Sequence, residues 1–171
     1  VGGMKIAKMP GGFDLFYTTS IPGWAAAQGV LIAKDKKVAG VITTSEYNTR
    51  FENKVLGIST SVAADEFQGK GIVYKAYVAL IKAGYSLISD DLQTQGGKII
   101  WKKLAKTPGV FVYGISGTHH RPLFLKKPVR VRNWSLSTSS SSGSHRDGYY
   151  DVSQHDNVPL RDDDDVPIII T

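Results

Sequence analysis

The sequence contains no cysteine, which excludes a disulfide framework and a thiolate metal site. It has no apolar run long enough to cross a bilayer as a helix, and no basic segment followed by an apolar one marks a signal peptide. These absences favour a cytoplasmic protein that does not enter a membrane. The apolar content of 42% still allows a hydrophobic core, and 171 residues fit one domain with an appendage or a small domain pair.

Several motifs that carry chemistry are also missing. The chain has no Walker lysine pattern, no nucleophile elbow and no dinucleotide fingerprint followed by an acidic ribose ligand. Its four histidines show no helix-type ligand spacing, so we predict no metal site. They are His119, His120, His145 and His155.

Acidic residues are scarce in most of the chain. Residues 1–132 contain 19 Lys or Arg and 8 Asp or Glu, whereas residues 133–171 contain 2 Arg and 7 Asp. The net charge of +6 therefore divides into +11 and −5. A basic body suits an anionic partner, such as a nucleotide-containing cofactor or nucleic acid, although scattered lysines also serve solubility.

Alternating apolar residues and turn residues in the first half predict an antiparallel meander. In its last strand, residues 55–62, alternation places Leu56, Ile58, Thr60 and Val62 on one face. The predicted strands of this half are residues 5–9, 13–18, 28–33, 38–44 and 55–62.

The second half alternates helices and strands. Apolar residues at helical spacing predict a helix over residues 72–84, with Gly84 as its stop, and a second helix over residues 97–106. The other predicted elements are strands at residues 85–89, 110–115 and within 123–134.

Between the last meander strand and the first helix lies Gln68-Gly69-Lys70-Gly71-Ile72-Val73. A glycine-rich turn before a helix exposes several backbone N–H groups at its positive end, which suits a phosphate or pyrophosphate. Lys70 adds a mobile positive charge. The alternatives are a generic phosphate-binding nest and a plain strand-to-helix turn.

This hexapeptide resembles the acyl-CoA signature of the GCN5-related N-acetyltransferase (GNAT) family. That signature has Gln or Arg, two variable residues, Gly, one variable residue, and Gly or Ala. Gln68 and Gly71 fit it, and Val73 departs from the usual small residue. The resemblance in element order covers residues 27–134 and implies an α+β fold: a mostly antiparallel twisted sheet around a strand–glycine turn–helix–strand–helix unit. Much of the helical region that follows the family's first strand is missing.

The resemblance implies that the cofactor is acetyl-CoA or another acyl-CoA. Its pyrophosphate would lie on the backbone of residues 69–73, and its pantetheine arm would pair with the strand end. It also implies direct transfer of the acyl group to the amine of a small molecule, peptide or protein in a ternary complex. The implied cofactor-binding residues are Val62, Ala63, Gln68, Gly69, Lys70, Gly71, Ile72, Val73 and Trp101.

The catalytic residues are less well defined by the pattern. Trp101 occupies the position where the family often has a tyrosine that acts as the general acid. An indole cannot donate a proton in this way. Trp101 is therefore expected to pack against the cofactor arm or the core. The predicted base candidates are His119, Glu66 and Asp65. Glu46, which ends the preceding strand, is a further candidate.

The composition changes after Trp134. Residues 135–144 hold seven Ser and one Thr, which predicts a flexible linker, and four aspartates follow at 162–165. We therefore expect a domain over residues 1–134 and a Ser-rich linker with an acidic tail over 135–171. The tail could be a solubilising segment, a strand added to its own sheet or that of a partner, a route to homo-oligomers, or a cover for the anion site.

Two other functions stay open at this point. One is a catalytically inactive protein of the same fold that serves binding or assembly, as in a phage or mobile element. The other, less favoured, is nucleic-acid binding by alternating basic residues. These are Lys126, Lys127, Arg130 and Arg132.

Overall fold

A computed structural model describes residues 3–24, 27–46, 49–89 and 95–114, together with two short strands near the C-terminus. Contacts divide the chain into two units, Val1–Ile88 and Ser89–Thr171. The nine strands of the described residues are β1 (Met4–Met9), β2 (Phe13–Thr18), β3 (Gln28–Lys34), β4 (Lys37–Thr44), β5 (Val55–Ala63), β6 (Ser86–Ile88), β7 (Val112–Gly114), β8 (Val129–Val131) and β9 (Ile168–Ile170). The helices are α1 (Ile72–Lys82) and α2 (Gln95–Ala105), with 3₁₀ helices at Phe51–Asn53 and Asp65–Phe67.

In the first unit, β1 to β6 lie side by side in chain order. The first five strands are antiparallel neighbours, and β6 runs parallel to β5. The turn between β3 and β4 consists of Asp35 and Lys36, both with left-handed φ angles of 51° and 63°. Two such residues match the right-handed twist of a hairpin. The predicted meander is confirmed, and so is the α+β class with a mixed sheet and two helices.

Helix α1 connects β5 to β6. It buries Ile72, Val73, Ala76, Ala79 and Leu80, together with Tyr77. These residues recur at the helical period and face the sheet. Gly84, with a φ of +94°, follows the helix and adopts the left-handed conformation common after helix ends. The predicted helix and its stop are confirmed.

The predicted faces of β5 are wrong beyond Ile58. The register passes from Thr44 opposite Ile58 to Thr43 opposite Thr60, so Ser59 is an extra residue in β5. A bulge of this kind reverses the alternation that follows it. Ile58 is buried, whereas Thr60 is exposed and Val62 keeps 42% of its surface accessible.

A close approach at Gly40 sets the position of α1 against the sheet. A Cβ atom at Gly40 would lie 3.0 Å from the carbonyl oxygen of Val62 and 3.4 Å from Cδ1 of Ile72. Because glycine has no such atom, the first turn of α1 can rest directly on β4. The end of β5 and the start of α1 are thereby held next to each other beside β4.

The second unit contains α2 and three strands. Trp101 and Leu104 are buried and Lys106 is exposed, as the helical spacing predicts. Strand β7 pairs antiparallel with both β8 and β9. Strand β9 lies at the end of the acidic tail. The tail therefore adds a strand to a sheet of its own chain, which is one of the predicted roles. The domain boundary at residue 134 stays a prediction.

No helix in the described ranges is long and apolar enough to cross a membrane.

Candidate functional site

The candidate site is the turn between β5 and α1. Gly69 and Gly71 both have left-handed φ angles, +72° and +69°, and only Lys70 separates them. A Cβ at either glycine would meet no atom within 4 Å, so the space in front of the turn is open. Residues 68–71 are all exposed. The glycines are therefore required by the backbone conformation, and packing against the rest of the fold does not demand them.

The turn leaves backbone donors without acceptors. The first bond of α1 runs from the amide of Lys75 to the carbonyl of Gly71, and no side chain caps the helix. Among residues 68–73, the amides without a hydrogen-bond acceptor are those of Gly69, Gly71, Ile72 and Val73. Unsatisfied amides at a helix N-terminus favour an anion through their own N–H groups and the helix dipole.

The edge of β5 beside this turn is open on one side. Strand β6 pairs only with Val55, Leu56 and Gly57, whereas β4 accompanies β5 from Ile58 to Ala63. On the side away from β4, no described strand pairs with residues 58–63. An unpaired stretch of this kind presents backbone donors and acceptors to an extended ligand.

The side chain of Gln68 braces the turn. Its Nε2 donates to Oδ1 of Asp65 at 3.1 Å and to the carbonyl oxygen of Ala63 at 3.5 Å. Asp65 therefore ties the 3₁₀ helix to the glycine turn, a structural contact that the sequence pattern did not suggest. Glu66, the next residue, is exposed on the same 3₁₀ helix.

A second polar contact joins β5 to α1 behind the turn. The hydroxyls of Ser61 and Tyr77 lie 2.5 Å apart. Burial raises the pKa of Tyr77 to about 12, and the bond to Ser61 opposes that rise. The phenol therefore stays protonated at neutral pH. This contact fixes Ser61 on the α1 face, consistent with the reversal of faces after the bulge.

The predicted site residues divide into four groups. The turn residues Gln68 to Gly71 lie together with Val62 and Ala63, which are exposed and half-buried respectively. Ile72 and Val73 point their side chains into the core and offer only their amides. Trp101 is buried within α2 of the second unit, with 3% of its surface accessible. His119 lies outside the described residues.

Two features of this site were not predicted. The open edge from Ile58 to Ser61 depends on where β6 ends, and the bulge at Ser59 depends on a cross-strand contact. In this contact, Oγ1 of Thr43 accepts a hydrogen bond from the amide of Thr60 at 3.0 Å. Within the described residues, no three His, Asp or Glu side chains come together in a way that could hold a metal ion.

Comparisons of the chain with protein-family models, with curated proteins and with solved structures each find no match.

Proposed function

We propose that this protein binds an acyl-CoA, such as acetyl-CoA, and transfers its acyl group to an amine. The observation that carries the proposal is the set of four free amides at the β5–α1 turn, placed next to the open edge of β5. The amides suit a pyrophosphate. The open edge suits an extended arm with its own amide groups. Both features match the resemblance of residues 68–73 to the GNAT signature.

In the proposed complex the cofactor runs in one direction along β5. A pyrophosphate at Gly69 to Val73 places the pantetheine arm along β5 from Ala63 back toward Ile58. That stretch is about 17 Å long at the rise of an extended strand. The backbone of Ser61, Val62 and Ala63 pairs with the arm in this arrangement, and the acyl end lies near the bulge at Ser59.

Glu46 is the base candidate for this arrangement. Its neighbour Ser45 donates its amide to the carbonyl of Gly57 at 2.7 Å, so Glu46 follows the end of β4 beside the part of β5 that precedes the bulge. Glu46 is exposed and can receive a proton from an incoming amine. Glu66 lies at the pyrophosphate end of the arm, and the carboxylate of Asp65 already holds Gln68.

The bound cofactor supplies the thioester, and the protein positions it. No tyrosine acid is needed at Trp101, because a thiolate can take its proton from water. Only residues 19–27 connect β2 to β3, so little of the chain is available to cover the acceptor side. An open acceptor side suits an amine on a peptide or protein as well as a small molecule.

A second candidate function is binding of the acyl-CoA without turnover. It is favoured by the burial of Trp101 at the position where the family often has an acidic tyrosine. In that case the fold serves binding or assembly, and the acyl-CoA acts as a structural ligand.

Calorimetry with acetyl-CoA, followed by an acetyl-transfer assay on a panel of amines, separates these functions. Binding with transfer supports the enzyme. Binding without transfer to any amine supports the second candidate. No heat of binding at millimolar acetyl-CoA contradicts both.

Gly71→Val tests the turn itself. Its side chain would stand in the open space where the pyrophosphate is expected, so we expect at least a tenfold loss of acetyl-CoA affinity. Gly109→Val is the matched control, because Gly109 also has a left-handed φ, +78°, and no atom within 4 Å of a built Cβ. Both changes strain the backbone by about 1–2 kcal/mol. If the two variants bind acetyl-CoA equally well, the turn is structural and does not contact the cofactor.

A further inference from the structure

Next to the glycine turn lies a cluster of two phenylalanines and two lysines, formed by Phe13, Lys34, Phe67 and Lys70. The rings of Phe13 and Phe67 meet edge to face, with centroids 5.7 Å apart. The ammonium of Lys34 lies 5.1 Å from the centroid of Phe13, and that of Lys70 lies 5.6 Å from the centroid of Phe67. The cluster therefore forms one continuous surface with a cation at each end.

The register of the sheet brings these residues together. Phe13 begins β2 and Lys34 ends β3, and these strands are antiparallel neighbours. Phe67 ends the 3₁₀ helix that follows β5, and Lys70 lies within the glycine turn itself. The cluster thus lies beside the free amides of Gly69, Gly71, Ile72 and Val73.

Neither ammonium is neutralised by a carboxylate. Within the described residues, neither Lys34 nor Lys70 forms an ion pair, whereas Lys5 pairs with Asp14 at 3.0 Å. Asp65 is held by Gln68. Lys70 is exposed, while Lys34 and both rings are half-buried. The lysines lie over the rings, and because cation–π attraction is weak at sites that solvent reaches, an anion can replace it.

We propose that this cluster binds the 3′-phosphoadenosine end of CoA. The inference rests on the proposed function, because the pyrophosphate at the glycine turn is what brings the adenosine to the cluster. Lys70 pairs with the pyrophosphate and leaves the face of Phe67. The adenine then stacks on that ring, since a purine and a phenyl ring attract through their faces. Lys34, at the far end, pairs with the 3′-phosphate.

The arrangement predicts a preference among cofactors. CoA and 3′-dephospho-CoA differ only in the 3′-phosphate, so the contact with Lys34 should favour CoA by about tenfold, as for a charge-assisted hydrogen bond at a partly exposed site. Lys34→Gln should lower CoA affinity by that factor and leave 3′-dephospho-CoA affinity unchanged. Lys70→Gln should weaken both ligands, because both carry the pyrophosphate.

Calorimetry of the full chain with the two ligands tests the inference. Lys82→Gln is the control, since Lys82 is an exposed lysine at the other end of α1. The expected result is a preference for CoA in the wild type and in Lys82→Gln, and its disappearance in Lys34→Gln. Equal binding of CoA and 3′-dephospho-CoA by the wild type would overturn this inference and leave the proposed function standing. No binding of either ligand would overturn both.

Binding of a single-stranded oligonucleotide tests whether the cluster recognises nucleic acid instead of CoA. An adenine-rich single-stranded oligonucleotide also presents purines and phosphates. If it binds with an affinity that falls in Lys34→Gln while CoA affinity does not, the cluster serves nucleic acid and the inference is wrong.

Discussion

Replacing Tyr77 by phenylalanine should change how the stability of the protein depends on pH. The hydroxyl of Tyr77 is buried and lies 2.5 Å from that of Ser61. Its pKa in the fold is about 12, against an ordinary value of 10.0. The fold therefore favours the neutral phenol, and above pH 10 the unfolded chain binds fewer protons at this residue than the folded chain does.

The sign and size of the effect follow from this difference. The contribution of Tyr77 to stability is fully present below pH 10 and is lost as the pH rises toward 12. Between pH 9 and pH 11, the wild type should lose about 1.3 kcal/mol of unfolding free energy through this residue alone. At pH 7, Tyr77→Phe should be about 1 kcal/mol less stable than the wild type, because a buried hydrogen bond is lost.

Denaturant unfolding at several pH values from 7 to 11 measures both quantities. The gap between wild type and Tyr77→Phe should narrow with rising pH and reach about zero near pH 11. Ser61→Ala is the control, because it removes the hydrogen bond but leaves the buried phenol, so it should keep the pH dependence of the wild type. A gap between wild type and Tyr77→Phe that stays constant over this range would refute the reasoning.

Two further predictions concern β3 and the acyl end of the site. Gly29→Ala should destabilise the protein by about 3 kcal/mol or more, because its Cβ would lie 2.0 Å from the carbonyl oxygen of Ile42. Gly12→Ala, whose Cβ would stand in open space, should lower the free energy of unfolding by only about 1 kcal/mol. Thermal unfolding measures both variants, and a lower stability for Gly12→Ala than for Gly29→Ala would contradict the prediction. Glu46→Gln should lower kcat for acetyl transfer about 100-fold with unchanged acetyl-CoA affinity. If kcat is unaffected, the base lies elsewhere, with Glu66 the next residue to test.

The local parts of the fold could be predicted from the sequence. The strands of the meander, helix α1 and its stop at Gly84 each depend on residues close together in the chain. The glycine turn is also local, since Gly69 and Gly71 adopt conformations that other residues avoid. For the same reason, the sequence could place the candidate anion site between β5 and α1.

Features that depend on register could not be predicted. The bulge at Ser59 follows from the pairing of Thr43 with Thr60, a contact between strands. It moves Val62 to the face opposite the one expected. Likewise, Phe13 and Phe67 are far apart in the chain, and only the completed sheet brings their rings into contact. Sequence spacing carries no signal for such a cluster.

The pairing of β7 with β9 has a consequence for how the chain folds during synthesis. In the first unit every strand pairs with its neighbour in sequence, so its sheet can close as soon as β6 leaves the ribosome. Strand β7 ends at Gly114, whereas β9 begins at Ile168. At usual rates of translation, the edge of β7 that pairs with β9 stays unpaired for roughly 3 to 10 s. The first unit can therefore fold before the second is complete, and the unpaired edge of β7 exposes the nascent chain to mispairing during that time.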